Sequence, residues 1–320
     1  MRIKIILVAT YLIGLLACQN NAVQSDEQQR NTNATSKVQA LILTQPFDFD
    51  PNKKEQIKSA YMAKSKITVP HNLTPQNKWF MFEGPILEND KIAFRYYADS
   101  RHRFDIYGKT VSDLVMDTVG WDYHDIMNWG SDILKVGNSL GSGSPAIWYK
   151  DSIYTLSDCD SKTVEIIKSE TDVATIQTVF KGLEIEDQIF DLIQNQSIAA
   201  GESWTTVQLQ LPSGKLPEGM YFATGIVKHL PDIETGTTEN GFFATNWGQQ
   251  SFHKENMGMA ICANKKYEPT LAPDELSHAF YFKNTPTEVT YKVVAAWERD
   301  VSNIKNESDF KEVVINAATL

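Results

Sequence analysis

The sequence has little of what builds a metal site, a nucleic-acid surface or a helical domain. It holds 3 cysteines in 320 residues, and no C-x-x-C or H-E-x-x-H spacing. That removes the common zinc-ligand patterns. Basic residues are in deficit, 30 against 40 acidic ones, for a formal charge of −10. An acidic chain of this kind repels nucleic acid and anionic lipid surfaces. Beyond the N-terminus no apolar run approaches the length needed to cross a bilayer. Helical periodicity is scarce, no internal repeat is visible, and no alternating strand–helix pattern exists to carry a Ser–His–Asp triad.

What is present begins at the N-terminus. Arg2 and Lys4 precede an apolar run from Ile5 to Ala17, broken by Thr10 and Gly14. This is the length of a signal-peptide core, too short to span. It ends in Leu15-Leu16-Ala17-Cys18, which resembles a bacterial lipobox. Residues 1–17 are therefore expected to be an export signal, with Cys18 lipidated. Two or more acyl chains give stable anchoring. Loss of Arg2 and Lys4 takes the formal charge from −10 to −12. Residues 18–40 are rich in Gln, Asn, Ser and Thr and read as a flexible tether. The expected location is the periplasm-facing side of a membrane, the outer membrane favoured, with the cell surface open. Cys159 and Cys262 then lie in an oxidising compartment, either paired or as two separate thiols.

Residues 41–320 read as one domain. Lys53–Lys64 is a short helix or irregular segment. Trp79–Phe82 reads as a strand closed by Glu83-Gly84-Pro85. Ile92–Tyr107 reads as one long alternating strand with a bend at Ser100. Further strands are expected at 146–149, 153–156, 164–168, 174–180, 184–192, 203–211, 220–229, 241–246, 258–263, 278–282 and 290–298. Partial helix is expected over Tyr123–Val136, and a closing helix over Asp309–Ala318. So many strands without alternating helices predict an all-β chain, a large antiparallel β-sandwich with few short helices.

Alternation along Ile92–Tyr107 places Arg95, Tyr97, Asp99, Arg101, Arg103 and Asp105 on one face. That face is either a solvated surface laced with ion pairs or the floor of a cleft for an anionic sugar. The next stretch, Gly120 to Asp132, holds Trp121, Asp122, Tyr123, His124, Trp129 and Asp132. Tryptophans stack on the apolar faces of sugar rings, and His124 is the best acid–base candidate because imidazole titrates near neutrality. The same residues also suit an ordinary core. Gly137–Pro145 lacks the Gly-Lys-Ser/Thr ending of a phosphate loop. His229, Trp247 and His253 fall near strand ends and read as structural more often than functional.

Three segments carry a family resemblance. Phe82-Glu83-Gly84-Pro85, Phe94–Arg101 with Asp105–Lys109, and Trp129–Gly137 with the glycine-rich run after it resemble the domain-of-unknown-function 4861 family. The resemblance covers about residues 41 to 318 and is specific over 79–145. It implies a galactose-mutarotase-like sandwich and a place in polysaccharide degradation in marine Bacteroidota, with ulvan oligosaccharide dehydration as the expected chemistry. Water would be removed from a saturated uronic acid at the non-reducing end, leaving a 4,5-unsaturated sugar.

That reaction needs a neutralised carboxylate, a base at C5–H and an acid at the leaving hydroxyl. The expected catalytic set is His124 as base, Tyr97 or Tyr123 as acid, and Arg101 with Arg95 as carboxylate clamps. Arg103, Glu83, Asp122, Asp132, Trp121, Trp129 and Trp247 are expected to bind substrate. No organic cofactor is expected, and a structural or substrate-bridging Ca²⁺ stays open. The expected partners are an acidic oligosaccharide and, through the lipid, a membrane; nucleic acid is not one. Two rivals fit the same residues. One is a glycoside hydrolase with a carboxylate pair drawn from Glu83, Asp99, Asp122 and Asp132. The other is a lipid-anchored carbohydrate-binding protein using Trp121, Trp129 and Trp247.

Overall fold

A period of two builds most of this chain, and the burial follows it even where a buried position is polar, as at Gln194 and Gln196. In the strand Gln188–Ala199 every second side chain is buried from Phe190 to Ile198. The computed structural model describes residues 36–45, 61–71, 73–284 and 287–319. The expected signal, Cys18 lipidation and most of the tether lie outside the described residues, as does the Lys53–Ala60 part of the first predicted helix.

In chain order the strands begin with β1 (Val38–Leu41), β2 (Leu43–Thr44), β3 (Met62–Ala63), β4 (Lys66–Val69) and β5 (Ile86–Asn89). They continue with β6 (Ile92–Tyr96), β7 (Phe104–Lys109), β8 (Gly130–Asp132), β9 (Ala146–Tyr149) and β10 (Ser152–Thr155). Next come β11 (Cys159–Ser169), β12 (Val173–Ile185), β13 (Gln188–Ala199), β14 (Trp204–Gln210) and β15 (Tyr221–Val227). The last are β16 (Glu234–Thr237), β17 (Gly241–Gln249), β18 (Asn256–Asn264), β19 (Pro269–Ala272), β20 (Ser277–Phe282) and β21 (Glu288–Trp297). One helix, α1 (Glu307–Ala318), follows.

A nine-stranded sheet in the order β16-β17-β18-β21-β14-β13-β12-β11-β4 forms one layer. Two five-stranded sheets, β1-β5-β6-β7-β8 and β10-β9-β15-β20-β19, supply strands to the other side of the main core. All the strand pairings in these three sheets are antiparallel. The architecture is an all-β antiparallel sandwich. Its main core joins Ile176, Phe180, Leu209 and Val293 of the large sheet to Phe94, Phe104, Ile106, Ile147 and Phe222. The far face of the large sheet is covered by α1, whose Phe310 and Val314 pack with Phe243 and Ala260. Asn306 caps that helix by accepting from the Asp309 amide at 3.0 Å.

Several expectations are corrected. Ile92–Tyr107 is a hairpin, β6 and β7 joined through residues 97–103, with Arg95 opposite Asp105. The chain reverses with His102 at a φ of 42°, and with no glycine or proline to signal the turn. Trp79–Phe82 is not a strand: Met81–Glu83 forms a 3₁₀ turn with Phe82 and Glu83 at positive φ. Predicted strand 184–192 straddles the turn between β12 and β13. Tyr123–Val136 is made of turns and β8 rather than helix. Cys159 and Cys262 are both free; the Cys262 thiol donates to Val314 O at 3.5 Å beneath α1.

Both faces of the β6–β7 hairpin are buried. The inner face gives Phe94, Tyr96, Phe104 and Ile106 to the main core. The outer face, with Ala93 and Tyr107, packs under Phe82, Met116 and Tyr123. β8 can close on β7 because Gly130 sits at a φ of 136°, where a Cβ would stand 1.9 Å from Gly108 O.

Candidate active site

The hairpin register sets the centre. Arg95 and Asp105 are cross-strand partners, and Asp132 of β8 adds a second carboxylate. Arg95 is 1% exposed. Its Nε and Nη2 donate to Asp105 Oδ2 at 3.1 and 2.7 Å. Nη2 also reaches Asp132 Oδ2 at 3.0 Å and the Tyr97 hydroxyl at 2.9 Å. Nη1 donates to Phe82 O at 2.8 Å and to the Tyr123 hydroxyl at 3.3 Å. The rings of Tyr97, Tyr107 and Tyr123 surround the guanidinium, their centroids 4.5, 5.2 and 5.2 Å from Cζ. A planar five-donor fork is the side chain that can join so many acceptors at once.

The expected substrate clamp at Arg95 is therefore corrected: every one of its nitrogens is bound inside the protein. Asp132 is likewise turned inward. Burial and the nearby Asp105 charge raise its carboxyl well above the usual range, against the pull of Arg95. The two tyrosines are neutral phenols. Tyr97 donates to Asp105 Oδ2 at 2.8 Å, and burial raises both hydroxyls above their ordinary range despite Arg95. Neither serves as a base.

His124 stands at the rim of this cluster with its side chain 54% exposed. Its Nδ1 lies 3.3 Å from Asp132 Oδ2. That contact favours the proton on Nδ1 and leaves the Nε2 lone pair for a ligand. Burial, then the Arg95 charge, lower the imidazole below its usual value of 6.5, so it is neutral at pH 7.

Arg101 covers the other edge, 3.7 Å over the Tyr97 ring. It donates to Asp99 Oδ2 at 2.6 Å and is paired with Glu83, yet its side chain keeps 21% exposure. Glu83 also accepts from the Gln76 amide at 2.9 Å, so its carboxylate organises the turn instead of facing a ligand. Trp121 is half-buried 6.0 Å from Tyr123, with Lys78 Nζ 3.4 Å over its ring. Trp129 is half-buried against Tyr107 at 6.3 Å. Asp122 is exposed beside them.

Two expected ligands lie elsewhere. Arg103 turns to the glycine-rich loop, donating to Gly137 O at 2.8 Å and Asn138 Oδ1 at 3.3 Å. Trp247 packs against Phe310 of α1, ring centroids 5.5 Å apart, on the helix-covered face of the large sheet. The Gly137–Gly141 segment has G-x-S-x-G spacing, but Ser139 is 4% exposed and donates to Val136 O at 2.6 Å. It is a loop staple, not a nucleophile. No group of three or more His, Cys, Asp or Glu among the described residues is arranged to hold a metal ion.

The structure adds three residues to the rim. Lys78 brings a cation; burial lowers its ammonium, and its charge acts on His124. Phe252 and His253, on the β17–β18 connection, arrive from far along the chain. The Phe252 amide donates to Ile133 O at 2.7 Å, and its ring, 47% exposed, stands 5.9 Å from the His124 ring. His253 Nε2 lies 2.9 Å from Ser131 Oγ. Nothing local in the sequence links Phe252 to His124 across this separation; the fold alone makes the contact.

No curated protein matches the sequence. Among solved structures, a "Putative kojibiose phosphorylase from human microbiome" is similar at 8% identity and a TM-score of 0.39. The match covers 73% of this chain and 32% of that one, so this chain spans about a third of that protein's length. The family profile described as Domain of unknown function (DUF4861) matches residues 17–319, and the chain belongs to that family.

Proposed function

We propose that this protein is a carbohydrate-active enzyme, a carbon–oxygen lyase that dehydrates a saturated uronic acid at the non-reducing end of oligosaccharides such as those from ulvan. The observation that carries the reading is His124: a half-exposed, neutral imidazole held by the buried Asp132, with the Lys78 charge acting on it and Arg101 at the opposite edge of the cluster over Tyr97. A base and a carboxylate-binding cation are the two things an elimination α to a carboxylate needs.

In the proposed step His124 Nε2 takes the C5 proton. The electron pair forms the C4–C5 double bond, and the C4 hydroxyl leaves with a proton as water. Charge building on the sugar carboxylate is met by Arg101 and Lys78. Tyr123, whose hydroxyl accepts from Arg95 and keeps its own proton uncommitted, supplies that proton to the departing hydroxyl, whereas the Tyr97 proton is held by Asp105. Arg95 and Asp132 position Tyr97, Tyr123 and His124 and do not touch substrate. Trp121 and the exposed Phe252 offer ring faces for the sugar.

The geometry disfavours a carboxylate-pair hydrolase, because Glu83, Asp99 and Asp132 are each bound to an arginine, which leaves the exposed Asp122 without a second carboxylate from that set to work with. A carboxylate whose oxygens are occupied by a guanidinium is not free to reach a glycosidic oxygen or an attacking water. In the same reading Cys18 carries a lipid that holds the domain near the periplasm-facing side of a membrane. The test is to add saturated uronyl oligosaccharides and follow ultraviolet absorbance and product mass. New absorbance with loss of one water is expected. Gain of one water at a cleaved bond, or binding without any product, overturns the proposal.

A further inference from the structure

A polar pocket lies against the hairpin turn, apart from the His124 rim. β11 pairs with β4, setting Lys162 opposite Val69. Together with the turn they enclose a cavity of about 310 Å³. Val69, Pro70 and Leu73 give it an apolar wall, Lys162 a cation, and Asp158 and Cys159 further lining. Its volume is at the small end for a ligand pocket, the size for one sugar ring and not a long chain.

Lys162 is the feature that needs an explanation. It is 6% exposed, and its ammonium donates only to two neutral carbonyls, Ala98 O at 3.3 Å and Asp99 O at 3.0 Å. The other buried cations here are matched. Lys109 has Glu88 at 2.7 Å, and Arg95 has two carboxylates. Among the described residues no carboxylate stands within ion-pair distance of Lys162, and the Asp99 charge that acts on it is already engaged by Arg101, so the pocket is electrostatically incomplete. Burial lowers the ammonium to about 8, which leaves it mostly charged at neutral pH and favours any anion that enters. Asp158 is exposed and so stands toward the mouth, where a carboxylate accepts from sugar hydroxyls. Apolar wall, buried cation and outer carboxylate match the three faces of a hexuronic acid: ring C–H groups, carboxylate and hydroxyls.

We propose that this cavity is a second binding site for an acidic sugar, its carboxylate seated on Lys162. The sugar class rests on the function proposed above; the need for an anion rests on Lys162 alone. Asp99 links the two sites, its carbonyl oxygen holding Lys162 and its carboxylate holding Arg101.

Cys159 lines the pocket and is partly exposed, so its alkylation reports occupancy. The full chain is treated with iodoacetamide, with glucuronate, glucose or acetate present, and the Cys159 peptide is quantified by mass. Glucuronate is expected to slow alkylation about tenfold at saturation, and Lys162→Met to remove the protection, as expected for loss of one charged hydrogen bond. Glucose is expected to give none. Leu73→Trp, which narrows the pocket from its apolar wall, is the second variant, and its Cys159 is expected to alkylate at the same rate with and without glucuronate. His124→Ala is expected to keep it. Absence of protection by glucuronate overturns the site, as does full protection in Lys162→Met with native circular dichroism. Equal protection by acetate overturns the sugar. Loss of protection in His124→Ala places the ligand at the His124 rim instead. Protection without any dehydration by the wild-type chain removes the proposed reaction and leaves this site standing.

Discussion

Arg95 and Asp105 face each other across the β6–β7 hairpin, and the guanidinium grips one oxygen of that carboxylate through two nitrogens. Removing Arg95 strands Asp105 and Asp132 in the interior. Arg95→Met is expected to lose about 3–5 kcal/mol of stability, the usual cost of breaking a buried pair from one side. Arg95→Lys is expected to recover only part, because an ammonium cannot fork to both carboxylates and both tyrosines. Denaturant melts read both; a neutral result for Arg95→Met would dissolve the proposed centre.

His124 is exposed enough to be removed cheaply. His124→Ala is expected to change stability by less than about 0.5 kcal/mol while abolishing turnover. Since burial and Arg95 hold its pKa below 6.5, the base stays unprotonated as pH falls through that value. The acid limb of kcat/KM is expected below pH 6.5. An active His124→Ala enzyme removes this residue from the mechanism.

Phe252 is expected to act on binding. Phe252→Ala should raise KM about three- to tenfold, the worth of an aromatic contact, with kcat and melting temperature nearly unchanged. An unchanged KM would show that the sugar does not lie against the β17–β18 connection.

His102 sits in the main core, its Nε2 2.8 Å from Gln194 Oε1, and burial and the Lys162 charge push its pKa well below 6.5. The unfolded chain binds a proton there below about pH 6.5 and the folded chain does not. Stability therefore falls with pH below that point, by up to about 1.4 kcal/mol per unit from this residue. His102→Asn, which tolerates the positive φ, is expected to flatten that slope in melts from pH 7 to 5. An equally steep slope in the variant would assign the acid sensitivity elsewhere.

Much of the sandwich was legible. Strand β9 falls where alternation and turn residues placed it, β14 within a residue, and α1 begins two residues before its predicted start. The hairpin inside Ile92–Tyr107 was not, because no glycine or proline marks residues 97–103. Yet Arg95, Tyr97 and Asp105 share one face as alternation implied. A hairpin that pairs Arg95 with Asp105 keeps residues of the same parity on the same side of the sheet. The tethering of Trp247 to α1 was beyond reach, since nothing local shows which sheet face a helix will cover.

By itself, the scarcity of cysteine and basic residues, together with the strand pattern, determined an acidic all-β chain without the spacing of a zinc site. It also gathered the polar residues into two short blocks. Tertiary structure decided what those residues do. Burial closed Arg95, Asp105 and Asp132 upon one another and left His124 at the rim. Contacts spanning more than a hundred residues then brought Phe252 and His253 beside it. Charge and periodicity are local properties and can be read in one dimension. Whether a given arginine meets a ligand or another side chain depends on desolvation, which only the packed layers fix.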